Sequence, residues 1–359
     1  MPTPLPSDAD VLLQPPDQAE VEILARGMST AVAPDGGLTH LQAVLLGAVS
    51  ESMTGFTVDL DTVEPMAADE FARALSRRDL DFRTRIVQVM VLGELILVPL
   101  PEAVASRVEN YAFELGVHEG MLRVARDYAR GSLGLALIDF ERNGYTEHWA
   151  DEQHASLHTR GALERAWQEC VHDEALAGQW EALEPCPSGS LGRRVFDFYR
   201  ARGFCFPGTL GSAPPLLAQH DWVHVLADYG TRVESELEVF SLIARAIPDP
   251  RGFSLLAMVV SLFETGYLYE GAGLFQYDRG HLSGTEGMPA RVADGMRRGA
   301  LCGRDLLEVD WFAYADWPVE DVRREFNVVE KSAKARAAGS VGPWEPGGIS
   351  PYQLDAGKR

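Results

Sequence analysis

The chain has 359 residues, 46% of them hydrophobic, and a formal net charge of -21. That length and apolar content support full cores and leave no room for wholesale disorder, and two domains is the default expectation. The acidity excludes a nucleic-acid partner, which requires a basic surface to neutralise phosphates, and excludes anchoring to an acidic membrane through a basic patch.

The opening segment, residues 1–17, is Pro-rich and reads as a flexible N-terminus. It begins MPTPLPSDAD, with neither a basic start nor an apolar run, so it predicts no signal peptide and a cytoplasmic protein. From 18 to 178 the pattern is helical. LTHLQAVLLGAVSESM, DEFARALSRR, FRTRIVQVMVLGELILV, PEAVASRVENYAFELG and EGMLRVARDYARGSLGLALIDFERN carry apolar residues at three-to-four spacing. Pro101 suits a helix start and Gly116 a helix stop. Residues 179–192 are rich in Gly, Pro and Ser and read as a linker. A second helical set fills 193–330, and after Lys331 the composition turns to Ala, Gly, Pro and Ser, which predicts a flexible tail over 331–359. No stretch alternates strictly, so the expected fold is all-α, in two helical domains.

Cys170, Cys186, Cys205 and Cys302 form no CxxC pair and indicate neither a disulfide framework nor a cysteine zinc site. The apolar run Phe253 to Tyr269 is interrupted by Glu264 and is short for a bilayer span. There is no GxSxG, no P-loop and no GxGxxG opening a helix after a strand.

The chemistry concentrates in LLAQHDWVHVLADYGTRVESE, residues 216–236. His220 and His224 are four apart, so their rings leave one helix face a turn apart, at the spacing by which two imidazoles share a metal ion. Asp221 lies about 100° round the helix, placed to ligate at an edge or to orient a histidine. Gly230 is expected to end this helix in a left-handed conformation, and Thr231 with Glu234 to open the next through a capping box. At about 1.5 Å per residue, His224 sits roughly 9 Å before the turn and Glu236 roughly 7.5 Å after it, level in an antiparallel pair. Glu238 reads as a residue of a solvated face. His154 and His158, beside Asp151 and Glu152, and the pair His172-Asp173 read as exposed polar groups.

His-Asp-x-x-His, eleven residues, then Glu resembles the motif of the coenzyme Q biosynthesis protein four family, met here by His220, Asp221, His224 and Glu236. FPGTLGSAP at 206–214 is similar to that family's segment upstream of the histidines, and VDWFAYADWPVEDVRREFNV at 309–328 to its C-terminal ending. Ser235 stands where the family commonly has Gly. The resemblance covers roughly 190 to 330. In the first half, DGGLTHLQAVLL and ENYAFELGV resemble TerB-like helical domains.

The resemblance implies an all-α protein holding one divalent metal, zinc or iron(II), through those four side chains. It implies oxidative decarboxylation with hydroxylation of a polyprenylated hydroxybenzoate-type ring in ubiquinone or related prenylquinone synthesis. Partners would be the prenylated aromatic molecule and other quinone-biosynthesis proteins, with peripheral contact at the inner face of the membrane. The apolar helix 253–269 would then line a groove for the isoprenoid tail, with Met258, Phe263 and Glu264 as substrate-binding residues, its alternative being an ordinary buried core helix. Two rivals stand beside this reading: a non-catalytic prenyl-lipid-binding scaffold with a structural metal, and a helical interaction module with none.

Overall fold

The computed structural model describes residues 18–60, 63–97, 100–117, 122, 172–210, 212–213, 215–247, 251–260 and 282–358. Among these it has fourteen α-helices and no strand, as the periodicity predicts. In chain order they are α1 (Gln18–Val32), α2 (His40–Thr54), α3 (Ala68–Ala74), α4 (Leu80–Leu95), α5 (Glu102–Glu114), α6 (Glu174–Glu181) and α7 (Leu191–Arg202). There follow α8 (Pro215–Ala227), α9 (Val233–Ala246), α10 (Arg251–Val260), α11 (Met288–Cys302), a 3-10 turn (Trp311–Tyr314), α12 (Val319–Glu325), α13 (Ala333–Ala337) and α14 (Pro351–Ala356). The expected N-terminal segment 1–17 lies outside the described residues, as do His154, His158 and Cys170.

Local chemistry sets the boundaries. Thr39 and Gln42 form a capping box at the start of α2, and Gly55 ends that helix at φ 78°. The same Gln42 is fully buried, where its amide donates to Val32 O at 2.8 Å and Gly93 O at 3.0 Å. One side chain thereby ties α2 to the end of α1 and to α4, whose carbonyls would otherwise lack partners. Asp173 caps α6 and Ser190 caps α7.

Residues 179–192 are not a spacer, as their composition suggested. Leu183 and Leu191 are buried, and the Leu191 amide donates to Trp317 O at 2.9 Å. One cluster of buried side chains runs from Leu24 to Val328, because α10 packs on α4 and α11 packs on α2. The two expected helical sets therefore share their core.

At the centre of the second set, α9 packs against α8, α10 and α11. Its contact with α11 is unusually close. A Cβ on Gly295 would lie 2.8 Å from Glu238 O, and one on Gly299 only 2.0 Å from Leu242 O. Glycine at these two positions, one turn apart, is what lets the backbones meet. Glu238, expected on a solvated face, is instead fully buried, with its Oε2 2.6 Å from Arg291 Nη2. The cause is tertiary: a carboxylate facing α11 needs a cation there, and Arg291 supplies it.

The tail after Lys331 is ordered. Ser332 caps α13, Ser350 and Gln353 form a capping box on α14, and Gln353 is fully buried. Arg202 donates to Pro343 O at 2.9 Å and Gly348 O at 3.3 Å. The low-complexity composition misled because what orders this segment is backbone hydrogen bonding to other parts of the chain, not its own apolar content.

Among the described residues no helix is long and apolar enough to cross a membrane. Phe253, Leu255, Leu256, Val259 and Val260 on α10 are buried against α4 and α9. At about 1.5–3 kcal/mol for each large apolar side chain, residues 253–260 contribute to the core, and the remainder of the expected groove helix, 261–269, lies outside the described residues. Phe263 and Glu264 lie outside the described residues, as does the side chain of Met258.

Candidate metal centre

Helix α8 starts at Pro215, where the missing amide hydrogen costs nothing, and ends at Ala227. The residue that stops it is Asp228, at φ 63°, and not Gly230. Aspartate tolerates this left-handed conformation better than most residues. The Tyr229 amide then closes back on His224 O at 2.9 Å, five residues earlier, as in a Schellman ending. The other end carbonyls are taken by arginines. Arg323 donates to Leu226 O at 2.7 Å and Val225 O at 3.5 Å, and Arg298 to Ala227 O at 2.8 Å.

Nor does the expected capping box form. Arg232 is the N-cap of α9, without a side-chain cap. Thr231 is occupied elsewhere: its hydroxyl accepts from Arg202 Nε at 2.9 Å and lies 2.6 Å from Gln353 Oε1. Gly230 is needed for a different reason. A Cβ there would lie 2.7 Å from Gly348, whose carbonyl accepts the Thr231 amide at 2.9 Å. The tail thus grips the turn between α8 and α9.

With the hairpin so held, the four expected side chains converge. His220, Asp221 and His224 form a buried group able to hold a metal ion, with one ligand atom from each within 4.8 Å of the others. Glu236, on the first turn of α9, closes it, with Oε2 3.2 Å from His224 Nε2 and 3.6 Å from His220 Nε2. Asp221 Oδ1 is 3.6 Å from His220 Nε2, so Asp221 turns into the group despite its offset round the helix. All four residues are at most 1% exposed.

The rings are fixed by their neighbours. His220 stacks on Phe240 at 5.1 Å and His224 on Phe198 at 5.7 Å. His220 Nδ1 contacts Leu217 O. A carbonyl can only accept, so Nδ1 donates to it and the ring is turned with Nε2 toward the two carboxylates. Behind Asp221, Tyr199 Oη donates to Oδ2 at 2.5 Å.

Two carboxylates buried side by side repel unless a cation lies between them. A proton can do this. Burial pushes the Glu236 carboxyl up, but the His224 and His220 imidazoles outweigh it and hold it at about 2. A divalent metal does it for both carboxylates at once. Donors about 2.0–2.1 Å from a tetrahedral centre are about 3.3–3.4 Å apart. The contacts of 3.2, 3.6 and 3.6 Å bracket that edge. Glu236 Oε1 and His224 Nδ1 have no hydrogen-bond partner, and a buried group left so costs about 1–3 kcal/mol. The donor set fits a borderline divalent ion such as zinc or iron(II).

The sequence alone did not reveal Tyr199, Phe198, Phe240 or the arginines that cap α8. His172 is exposed, and Asp173 serves as a helix cap. No family model, curated protein or solved structure matches the chain.

Proposed function

We propose that this chain binds one divalent metal through His220, Asp221, His224 and Glu236 and acts with it on a polyprenylated hydroxybenzoate-type ring. The reaction would replace the ring carboxyl by hydroxyl: the aromatic acid, dioxygen, two electrons and two protons give the phenol, carbon dioxide and water. The electrons come from an external two-electron donor. Iron(II) in such a His-and-carboxylate site supplies dioxygen chemistry, whereas zinc supplies polarisation alone. The spaced motif carries the choice of substrate, through its resemblance to the coenzyme Q biosynthesis protein four family. The observation that supports the metal is the buried convergence of His220 Nε2 on one oxygen of Asp221 and one of Glu236, each at 3.6 Å, beside His224.

The role of the protein residues follows from where they stand. His220 Nδ1 is engaged by Leu217 O, so its Nε2 is the nitrogen directed at the metal position. Glu236 joins the set from a second helix, so metal binding ties α8 to α9. Other quinone-biosynthesis proteins and peripheral contact with the inner face of a membrane belong to this proposal.

One observation favours a second reading, a prenyl-lipid-binding scaffold with a structural metal. Asp221 makes a fourth protein donor, and the whole set is at most 1% exposed. A closed four-ligand site is the usual arrangement of structural zinc. Elemental analysis of purified wild type and His224→Ala, followed by turnover of a prenylated hydroxybenzoate with dioxygen and reductant, separates the two. One metal per chain, lost in the variant, with carbon dioxide released by the wild type, supports the enzyme. Metal without turnover supports the scaffold. No metal after reconstitution with iron or zinc sinks both.

A further inference from the structure

Asp221 is the donor whose role the sequence left open, since the helix period carries it off the His220 and His224 face. What turns it inward lies on another helix. Tyr199, on α7, is fully buried, and its ring is wedged among Trp180 at 5.0 Å, Phe206 at 5.4 Å and Phe204 at 5.7 Å. That packing leaves the ring no room to swing, so the position of its hydroxyl is fixed by the core. From there it reaches Asp221 Oδ2 at 2.5 Å, the length of a strong bond to an ionised acceptor. The other oxygen, Oδ1, faces His220 Nε2 at 3.6 Å.

We infer that Tyr199 is a positioning residue for the metal: it occupies Oδ2 and so presents Asp221 to a divalent cation through Oδ1 alone. This rests on the metal reading above. A tyrosine suits the task because it is neutral. It orients the carboxylate without cancelling its charge, so Asp221 and Glu236 together still offer two negative charges to a divalent ion. A lysine or arginine at the same place would cancel one of them. Holding Asp221 to one oxygen also keeps the coordination number low, since a freed carboxylate can wrap both oxygens round the metal.

Cobalt(II), titrated into full-length protein, is the probe, because four-coordinate cobalt absorbs strongly in the visible and higher-coordinate cobalt weakly. Tyr199→Phe removes the hydroxyl and keeps the ring packing. It is expected to bind cobalt about 10–100-fold more weakly, the usual effect of losing a group that orients a ligand, with visible bands of lower intensity per bound ion. Tyr229→Phe is the control. It deletes another buried hydroxyl, one packed near Arg298 and Lys331, and should leave affinity and spectrum as in the wild type. Equal affinity and equal bands in Tyr199→Phe and wild type overturn the inference and leave the metal site standing. The same weakening in both tyrosine variants also overturns it, because that is general loosening. Asp221→Asn, whose amide oxygen still accepts from Tyr199 while its nitrogen faces the metal, should fold and lose cobalt; undiminished binding counts against a ligating Oδ1. A wild type that binds no cobalt overturns this inference and the metal reading together.

Discussion

The close approach of α9 and α11 makes a prediction that reaches the metal centre from a distance. Gly299→Ala would place a methyl group 2.0 Å from Leu242 O, and ordinary contact begins at 3.4 Å, so about 1.4 Å must be found. The obstacle is a backbone carbonyl inside α9, so no side-chain rotation relieves it. Overpacking of this kind costs about 1–3 kcal/mol and sometimes more, and alanine returns about 1 kcal/mol of helix propensity. The difference is about 0–2 kcal/mol, and the shortfall against a backbone atom puts Gly299→Ala at the upper end of it. Gly295→Ala is the matched comparison: its methyl meets Glu238 O at 2.8 Å, which asks for about 0.6 Å, and the propensity gain should nearly offset it. Because α9 also carries Glu236, its displacement in Gly299→Ala should weaken metal binding, since such sites tolerate shifts of about 0.5 Å. Thermal melting of apo-protein and a metal titration measure both effects. A Gly299→Ala protein as stable as the wild type would falsify the close-packed account of α9.

Three further outcomes are expected. Arg291→Met strands the buried Glu238 carboxylate and should cost about 3–5 kcal/mol, whereas Arg291→Met with Glu238→Leu should recover most of that loss in a denaturation cycle; additive losses would refute the pairing. Burial holds the Cys302 thiol up at about 12, so at pH 8 to 9 it stays protonated and unreactive, while Cys205 is exposed and alkylates first in peptide mapping. With its folded pKa above the ordinary thiol value of 9.0, Cys302 contributes stability that is full below pH 9 and is lost as pH rises toward 12. Finally, Arg202→Met removes the donors to Pro343 O and Gly348 O, so limited proteolysis should cut the region 340–350 faster than in the wild type; unchanged cleavage there would show that other contacts hold the tail.

What could be read from the chain follows the range of the interactions involved. His220, His224 and Glu236 were legible because helix period and turn length are local, and together they put three side chains level across a hairpin. The details of that turn were not. Thr231 has the chemistry of a cap, but Arg202 and Gln353 claim its hydroxyl from 29 and 122 positions away. Gly230 looks like a helix stop, yet its small size serves the approach of Gly348, and the left-handed residue is Asp228. Glu238 reads outward until Arg291, 53 positions on, is brought against it. Tyr199 gave no signal, since an aromatic at helical spacing reads as core, which its ring also is.

The grip of residues 341–348 on the α8–α9 turn has a consequence for how the protein is made. Gly230 and Thr231 donate to Val341 O and Gly348 O, groups that leave the ribosome roughly a hundred residues after Glu236. At about 5–20 residues per second, the nascent hairpin waits some 5–20 s for its clasp. During that interval all four donor side chains have been synthesised but the turn lacks these two hydrogen bonds, so under the proposed metal reading the order of translation favours capture by the finished chain over capture by the growing one.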